Sequence, residues 1–187
     1  LQSKYSVDAK IDELRDIYIK SMYYFLQAFN KRNPIYADIL NYVSLGVLLN
    51  IPDNNFRQLI DYVKQMDKQA KPSGWTPDLL LWFMLNSRLK EQEKLKYAET
   101  LAYPRLYNGL YKVIQAPNAA AAKDALNKYL DRWYNLNSDA PWYNSHLKDN
   151  CYRGYWAWEV AAVAKIMHID DSDLKNNQYY PYDMVHW

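Results

Sequence analysis

The chain is poor in three residue types: it has four glycines, four phenylalanines and one cysteine among 187 residues. Scarce glycine, with few alternating runs of β-branched residues, argues against a turn-rich β fold and for helices joined at Pro and Asn. A lone cysteine, Cys151, excludes an internal disulfide and suits a reducing compartment. Cys151 itself reads as a small buried hydrophobe. A chain of this length buries most of its apolar surface on folding without disulfides or metals as staples. An excess of charge of one sign is also missing. Lys and Arg number 23 against 21 Asp and Glu, a formal charge of +2, which leaves no whole-chain footprint for nucleic acid or a membrane surface. The longest uninterrupted apolar run, residues 79–85, is far shorter than the roughly 20 residues that span a bilayer. At Leu1 there is neither Met nor a basic-then-apolar leader, which reads as a processing site or a chosen boundary.

What is present is apolar residues at helical spacing. Ile11, Leu14, Tyr18, Met22, Phe25 and Phe29 form one stripe, and Ile35, Ile39, Val43 and Val47 a second, opened by Pro34 and closed by Pro52. Asp53 is expected to cap a third helix carrying Phe56, Leu59, Ile60, Val63 and Met66. Thr76 and Pro77 are expected to open a fourth, apolar on every side over residues 79–85 and therefore central. Helices are further expected over 97–115, kinked or divided at Pro104, over 119–133 behind Asn118, and over 149–166. On the last of these Tyr152, Trp156, Glu159, Val163 and Met167 share a face. The expected fold is an all-α, compact bundle of about seven to nine helices. It reads as a single domain over 1–187, with possible subdomains 1–95 and 96–187.

The reactive groups show no catalytic spacing. There is no glycine-rich phosphate loop, no nucleophile elbow and no histidine pair on one helical face. His146, His168 and His186 are far apart, and the interval from His146 to Cys151 is not a favoured ligand spacing. Asp170, Asp171 and Asp173 lack the glycine and distal glutamate of a calcium loop and read as caps on a short helical turn. No catalytic residue, metal or cofactor is therefore expected. Glu159 is the most suggestive carboxylate, because it interrupts an apolar face and its burial demands a donor. Arg153 lies off that face, so a donor from another helix or a tyrosine hydroxyl is the expected partner. A helical enzyme with Glu159, His146 and nearby tyrosines in a cleft is the competing reading, and a helical adaptor between proteins is a third. A deep polar pocket would favour the enzyme, and an enclosed Glu159 with one donor a structural role.

The excess lies in aromatics with a polar handle, 19 tyrosines and seven tryptophans. Such residues pack cores and are enriched at protein interfaces. Those in the helical stripes read as core, whereas Tyr179, Tyr180 and Tyr182 read as a surface that faces a partner. Residues 159–187 also carry Glu159, Asp170, Asp171, Asp173 and Asp183 against Lys165 and Lys175, a net charge of −3. An acidic, tyrosine-rich surface suits a basic protein partner and speeds encounter, though a solvated helix end has the same composition.

The stretch Gly154, Tyr155, Trp156, Ala157, Trp158, Glu159, Val160, Ala161, Ala162, followed by Ile169, Asp170, Asp171 and Ser172, resembles the PoNi family, the immunity proteins of polymorphic nuclease effectors. The likeness continues through Tyr180, Pro181, Tyr182 and Asp183, and begins earlier at Trp142, Tyr143, Ser145 and His146. It covers about the last 50 residues well, and upstream it rests on helix order and aromatic richness. The resemblance implies an all-helical protein in the cytoplasm of a toxin-producing bacterium. It would bind a cognate DNase effector and neutralise it by occlusion, without contacting nucleic acid or membrane, and possibly as a homodimer. The candidate partner-binding residues are Tyr155, Trp156, Glu159, Asp170, Asp171, Asp173, Tyr179, Tyr180, Tyr182 and Asp183. Mild overall basicity argues against mimicry of DNA across the whole surface.

Overall fold

A computed structural model describes residues 1–30, 35–68, 74–147 and 154–187, with the side chains of 28–30 left out. Cys151, Tyr152, Arg153, the Asn33 and Pro34 break and the expected helical start at Asp149 lie outside the described residues, as does the side chain of Phe29. The described chain forms α1 (Gln2–Tyr5), α2 (Ile11–Asn30), α3 (Tyr36–Leu48), α4 (Asp53–Lys68), α5 (Leu79–Asn86), α6 (Pro104–Ile114), α7 (Ala119–Leu136), α8 (Trp158–Met167) and α9 (Tyr182–Val185). Short 3-10 turns occur at Glu91–Glu93, Ser145–Leu147 and Ser172–Leu174, and no strand occurs among the described residues. The fold is all-α, as the sequence implies.

The helical stripes become the core. Leu14, Tyr18 and Met22 of α2, Phe56, Leu59, Ile60, Val63 and Met66 of α4, and Ala122, Leu126, Tyr129 and Trp133 of α7 are all buried. α5 is too apolar to have a wet face, and Leu80, Leu81, Trp82, Met84 and Leu85 are enclosed. α8 is the central element. It packs on α3, α5, α6 and α7, and the small side chains of Ala161, Ala162 and Ala164 let those helices approach closely. Each fully buried Val or Leu side chain contributes about 1.5–3 kcal/mol of transfer free energy, before entropy, so α8 anchors much of the core. The buried cluster is continuous from Leu14 near the start to Met184 near the end.

Several boundaries differ from expectation, each for a local reason. α5 opens at Leu79, two residues beyond the Thr76–Pro77 signal, because Asp78 is the cap and accepts the Leu81 N–H at 2.8 Å. Asp53 is the first residue of α4 rather than its cap, and its carboxylate meets Arg88. Ile35 precedes α3 in extended conformation and is 62% exposed, so it leaves the stripe of Ile39, Val43 and Val47. Residues 97–103 are not helical: Pro104 takes the first position of α6 and disfavours helix before it. α8 begins only at Trp158, so Trp156 lies outside it, in a segment held by the Ala157 N–H donating to the Tyr179 carbonyl at 2.8 Å. Pro181, at φ −80° and ψ 66°, leads directly into α9. Four-residue α1 has no amphipathic stripe to announce it.

Candidate functional site

The excess of tyrosine and tryptophan over phenylalanine has a counterpart inside the molecule. Among the described residues four carboxylates are buried, and each accepts a hydrogen bond from an indole or a phenol. Asp67 receives the Trp75 and Trp82 N–H groups at 2.7 and 2.6 Å. Asp78 receives the Tyr36 hydroxyl at 2.6 Å, with the Leu81 and Ala102 N–H groups at 2.8 and 2.7 Å. Asp171 receives the Tyr180 hydroxyl at 2.7 Å and lies 2.8 Å from His186 Nε2. Glu159 receives the Trp133 N–H at 2.6 Å. An apolar ring that carries one donor can fill core volume and satisfy a buried acceptor at once, which phenylalanine cannot do.

Glu159 stands in the first turn of α8, 5% exposed, and its donor comes from α7 as the apolar face required. Burial pushes its carboxyl up to about 7, against the hydrogen bonds from its own backbone N–H and from Trp133. Burial and then Glu159 raise the hydroxyls of Tyr107 and Tyr129. A carboxyl near 7 is a common signature of a general acid or base. Here it is enclosed, with the Trp133 N–H as its side-chain donor, and it does not line the groove of about 410 Å³ at the chain's ends.

The acidic C-terminal segment is less acidic on its surface than in its composition. Glu159 and Asp171 are enclosed, and Asp170 and Asp173 meet Lys123 at 2.9 and 3.1 Å. Lys123 and then Ser172 hold the Asp170 carboxyl down to about 2. Asp170 also accepts the Ser172 N–H at 3.2 Å, so it shapes the short turn, while Asp171 makes no capping bond and points inward. Asp183 is exposed and has no ion pair among the described residues. Lys165 reaches inward too, donating to the Leu48 and Met184 carbonyls at 2.9 Å each.

The remaining candidates lie around a seam where the two ends of the chain meet. The Gln2 amide donates to the Gly154 carbonyl at 2.6 Å, and the Trp156 N–H donates to the Ser6 hydroxyl at 2.8 Å. Tyr5 packs edge-on to Trp156 and Trp158, with ring centroids 4.7 and 5.3 Å away. Gly154 has φ +89°, and a Cβ there would run into the Ser6 hydroxyl and the Trp156 indole nitrogen, so only glycine allows this close approach. Beside the seam a groove of about 410 Å³ is lined by Tyr5, Asp8, Trp156, Lys175, Tyr182 and Asp183, among others. Burial, then the carboxylates of Asp183 and Asp8, raise the Tyr5 hydroxyl above its ordinary value.

The structure thus gathers Trp156, Tyr180, Tyr182 and Asp183 at the groove, with Tyr180 buried in its wall. Asp170 and Asp173 are exposed on another edge, beside α7, and Tyr179 is half-buried against Trp133 and Tyr134. Tyr155 is buried, its hydroxyl meeting Ser145, the His146 N–H and His146 Nδ1 at 3.2, 2.9 and 2.8 Å. Tyr5, Asp8 and Lys175 were absent from the sequence-derived set. Only the unusual glycine before an aromatic run hinted that another segment approaches there. Among the described residues no group of three or more His, Cys, Asp and Glu is arranged to hold a metal ion, and no helix is long and apolar enough to cross a membrane.

These features define an all-helical protein whose described buried carboxylates are closed against aromatic donors and whose two chain ends bring Asp8, Asp183 and several rings to one groove. Residues 1–61 match the family of PoNe immunity proteins (PoNi), N-terminal, and residues 76–184 match PoNe immunity proteins (PoNi), C-terminal. The two matches cover nearly the whole chain, and the chain belongs to the PoNi family of immunity proteins. The likeness therefore extends well upstream of the last 50 residues. No curated protein and no solved structure matches the chain.

Proposed function

We propose that this chain binds a cognate nuclease effector, a DNase, in the cytoplasm of the cell that makes it, and neutralises it by occlusion rather than by chemistry. The observation that carries the reading is the match to PoNi models along both parts of the chain. The geometry supports it from the other side. Glu159, the carboxylate with the strongest claim to reactivity, is enclosed and hydrogen-bonded, as is Asp171, which suits scaffolding.

Of the candidate contact residues, Trp156, Tyr179, Tyr182, Asp170, Asp173 and Asp183 are accessible and are the proposed contacts. Tyr155, Glu159, Asp171 and Tyr180 act from behind, by fixing the segments that carry the others. Rings with a polar handle bury large area on association yet tolerate water beforehand, and exposed carboxylates steer a basic nuclease face toward them. The test is DNA cleavage by the nuclease encoded by the adjacent, upstream gene. Equimolar protein is expected to abolish plasmid cleavage, with an association rate that falls as salt is raised; undiminished cleavage at excess protein would overturn the reading.

A further inference from the structure

The groove at the seam has a composition that selects one kind of occupant. Asp8 enters from the turn after α1 and Asp183 from α9, so the two carboxylates belong to opposite ends of the chain. Neither is paired with a cation among the described residues. The rings of Tyr5, Trp156 and Tyr182 line the same groove. Carboxylates beside aromatic faces attract a guanidinium or an ammonium, by charge and by cation–π contact, and repel phosphate. Lys175 also lines the groove and opposes a cation, but two carboxylates outweigh it. The volume, about 410 Å³, is in the range of pockets that enclose a compact group, about 300–1,000 Å³.

Two further features point to a protein as the source of that cation. Val7 lies in sequence between the lining residues Ser6 and Asp8 and is 75% exposed, so a protein seated on this segment would cover it. The wall is also held before binding: Ser6 and Gln2 tie α1 to Gly154 and Trp156, and Asp8 sits at φ 59°, a conformation Asp tolerates better than most residues. A preformed pocket avoids the ordering cost of building one during association.

Resting on the reading of the chain as a nuclease-binding immunity protein, we propose that this groove is an anchor pocket that takes one Arg or Lys side chain of the partner nuclease, held between Asp8 and Asp183. DNA-cleaving proteins present basic residues to phosphate, so an acidic pocket that captures one of them also places this chain against the surface it must cover.

The probe is a catalytically inactivated form of the nuclease encoded by the upstream gene, with binding kinetics measured for the wild type, Asp8→Asn/Asp183→Asn and Lys175→Gln. Asn keeps the left-handed turn at position 8, and neither acid has a folding partner, so circular dichroism and the unfolding midpoint should match the wild type. The double variant is expected to bind at least about 30-fold more weakly, mainly through faster dissociation, with a shallower salt dependence. Lys175→Gln is expected to bind about threefold more tightly, an opposite sign that no folding defect would produce. If the wild type binds and the double variant stays within twofold of it, or if Lys175→Gln weakens binding, the pocket is refuted while the immunity reading stands. If the wild type does not bind, the immunity reading fails and takes the pocket with it.

Discussion

Acidic side chains occur in two contrasting settings in this molecule. In the interior, Asp67, Asp78, Glu159 and Asp171 are enclosed and each faces a tyrosine or tryptophan donor. At the seam between the chain's ends, Asp8 and Asp183 are exposed at a groove lined by the same kinds of ring, with no ion pair among the described residues. The difference shows how one residue pair, carboxylate and polar aromatic, serves two purposes. Where the ring donates to the acid, the pair closes a core. Where the acid is exposed beside the rings and has no ion pair among the described residues, the pair is open to an outside cation.

The contrast is broken most sharply at Asp78. Asp78→Ala would strand one phenol and two backbone N–H groups inside the protein, and is expected to cost about 3–5 kcal/mol in urea unfolding. Partner affinity per folded molecule should be unchanged. A loss below about 1 kcal/mol would mean the interior acids are not needed to satisfy those donors.

Glu159 supplies a pH test. Its carboxyl sits at about 7 in the fold against 4.5 as its ordinary value, so the folded chain binds its proton more tightly than the unfolded chain does. The associated stability is fully present below 4.5 and is lost as pH rises to about 7, a difference of about 3 kcal/mol. Glu159→Gln removes the charge and keeps a carbonyl to accept the Trp133 N–H. It should abolish that slope and be more stable than the wild type at pH 8, as read from denaturant midpoints at pH 5 and 8.

Gly154→Ala couples the two settings, because a Cβ there would push α1 away from Trp156. A loss of about 2 kcal/mol in stability, together with weaker nuclease binding, is expected from melting and binding curves on the same sample. The smallest effect belongs to Lys123→Ala. Its ion pairs with Asp170 and Asp173 are exposed, and their removal should leave the urea unfolding midpoint nearly unchanged.

The sequence carried the core well because α2, α4 and α7 repeat their apolar residues at helical spacing and bury those residues. It carried boundaries less well. The segment 86–95 is fixed by Asn86, whose side chain both donates to the Leu95 carbonyl and accepts its N–H at 2.9 Å, a closure without periodicity. The site was half visible. Trp156, Tyr182 and Asp183 stood out as an acidic and aromatic tail, but Tyr5 and Asp8 lie some 150 residues upstream, and only tertiary contacts such as Trp156 to Ser6 bring the two together. Net charge misled for a related reason, since composition does not distinguish an acid that accepts from Tyr180 inside the protein from one left open in a groove.

The most direct test of the account is hydrogen–deuterium exchange of the chain alone and in complex with the inactivated nuclease. The account predicts slowed exchange of the segments that wall the groove, residues 5–9 and 175–183, with little change across the interior pair of Trp133 and Glu159. Protection confined to surfaces away from the seam, with the groove segments exchanging as in the unbound chain, would contradict it.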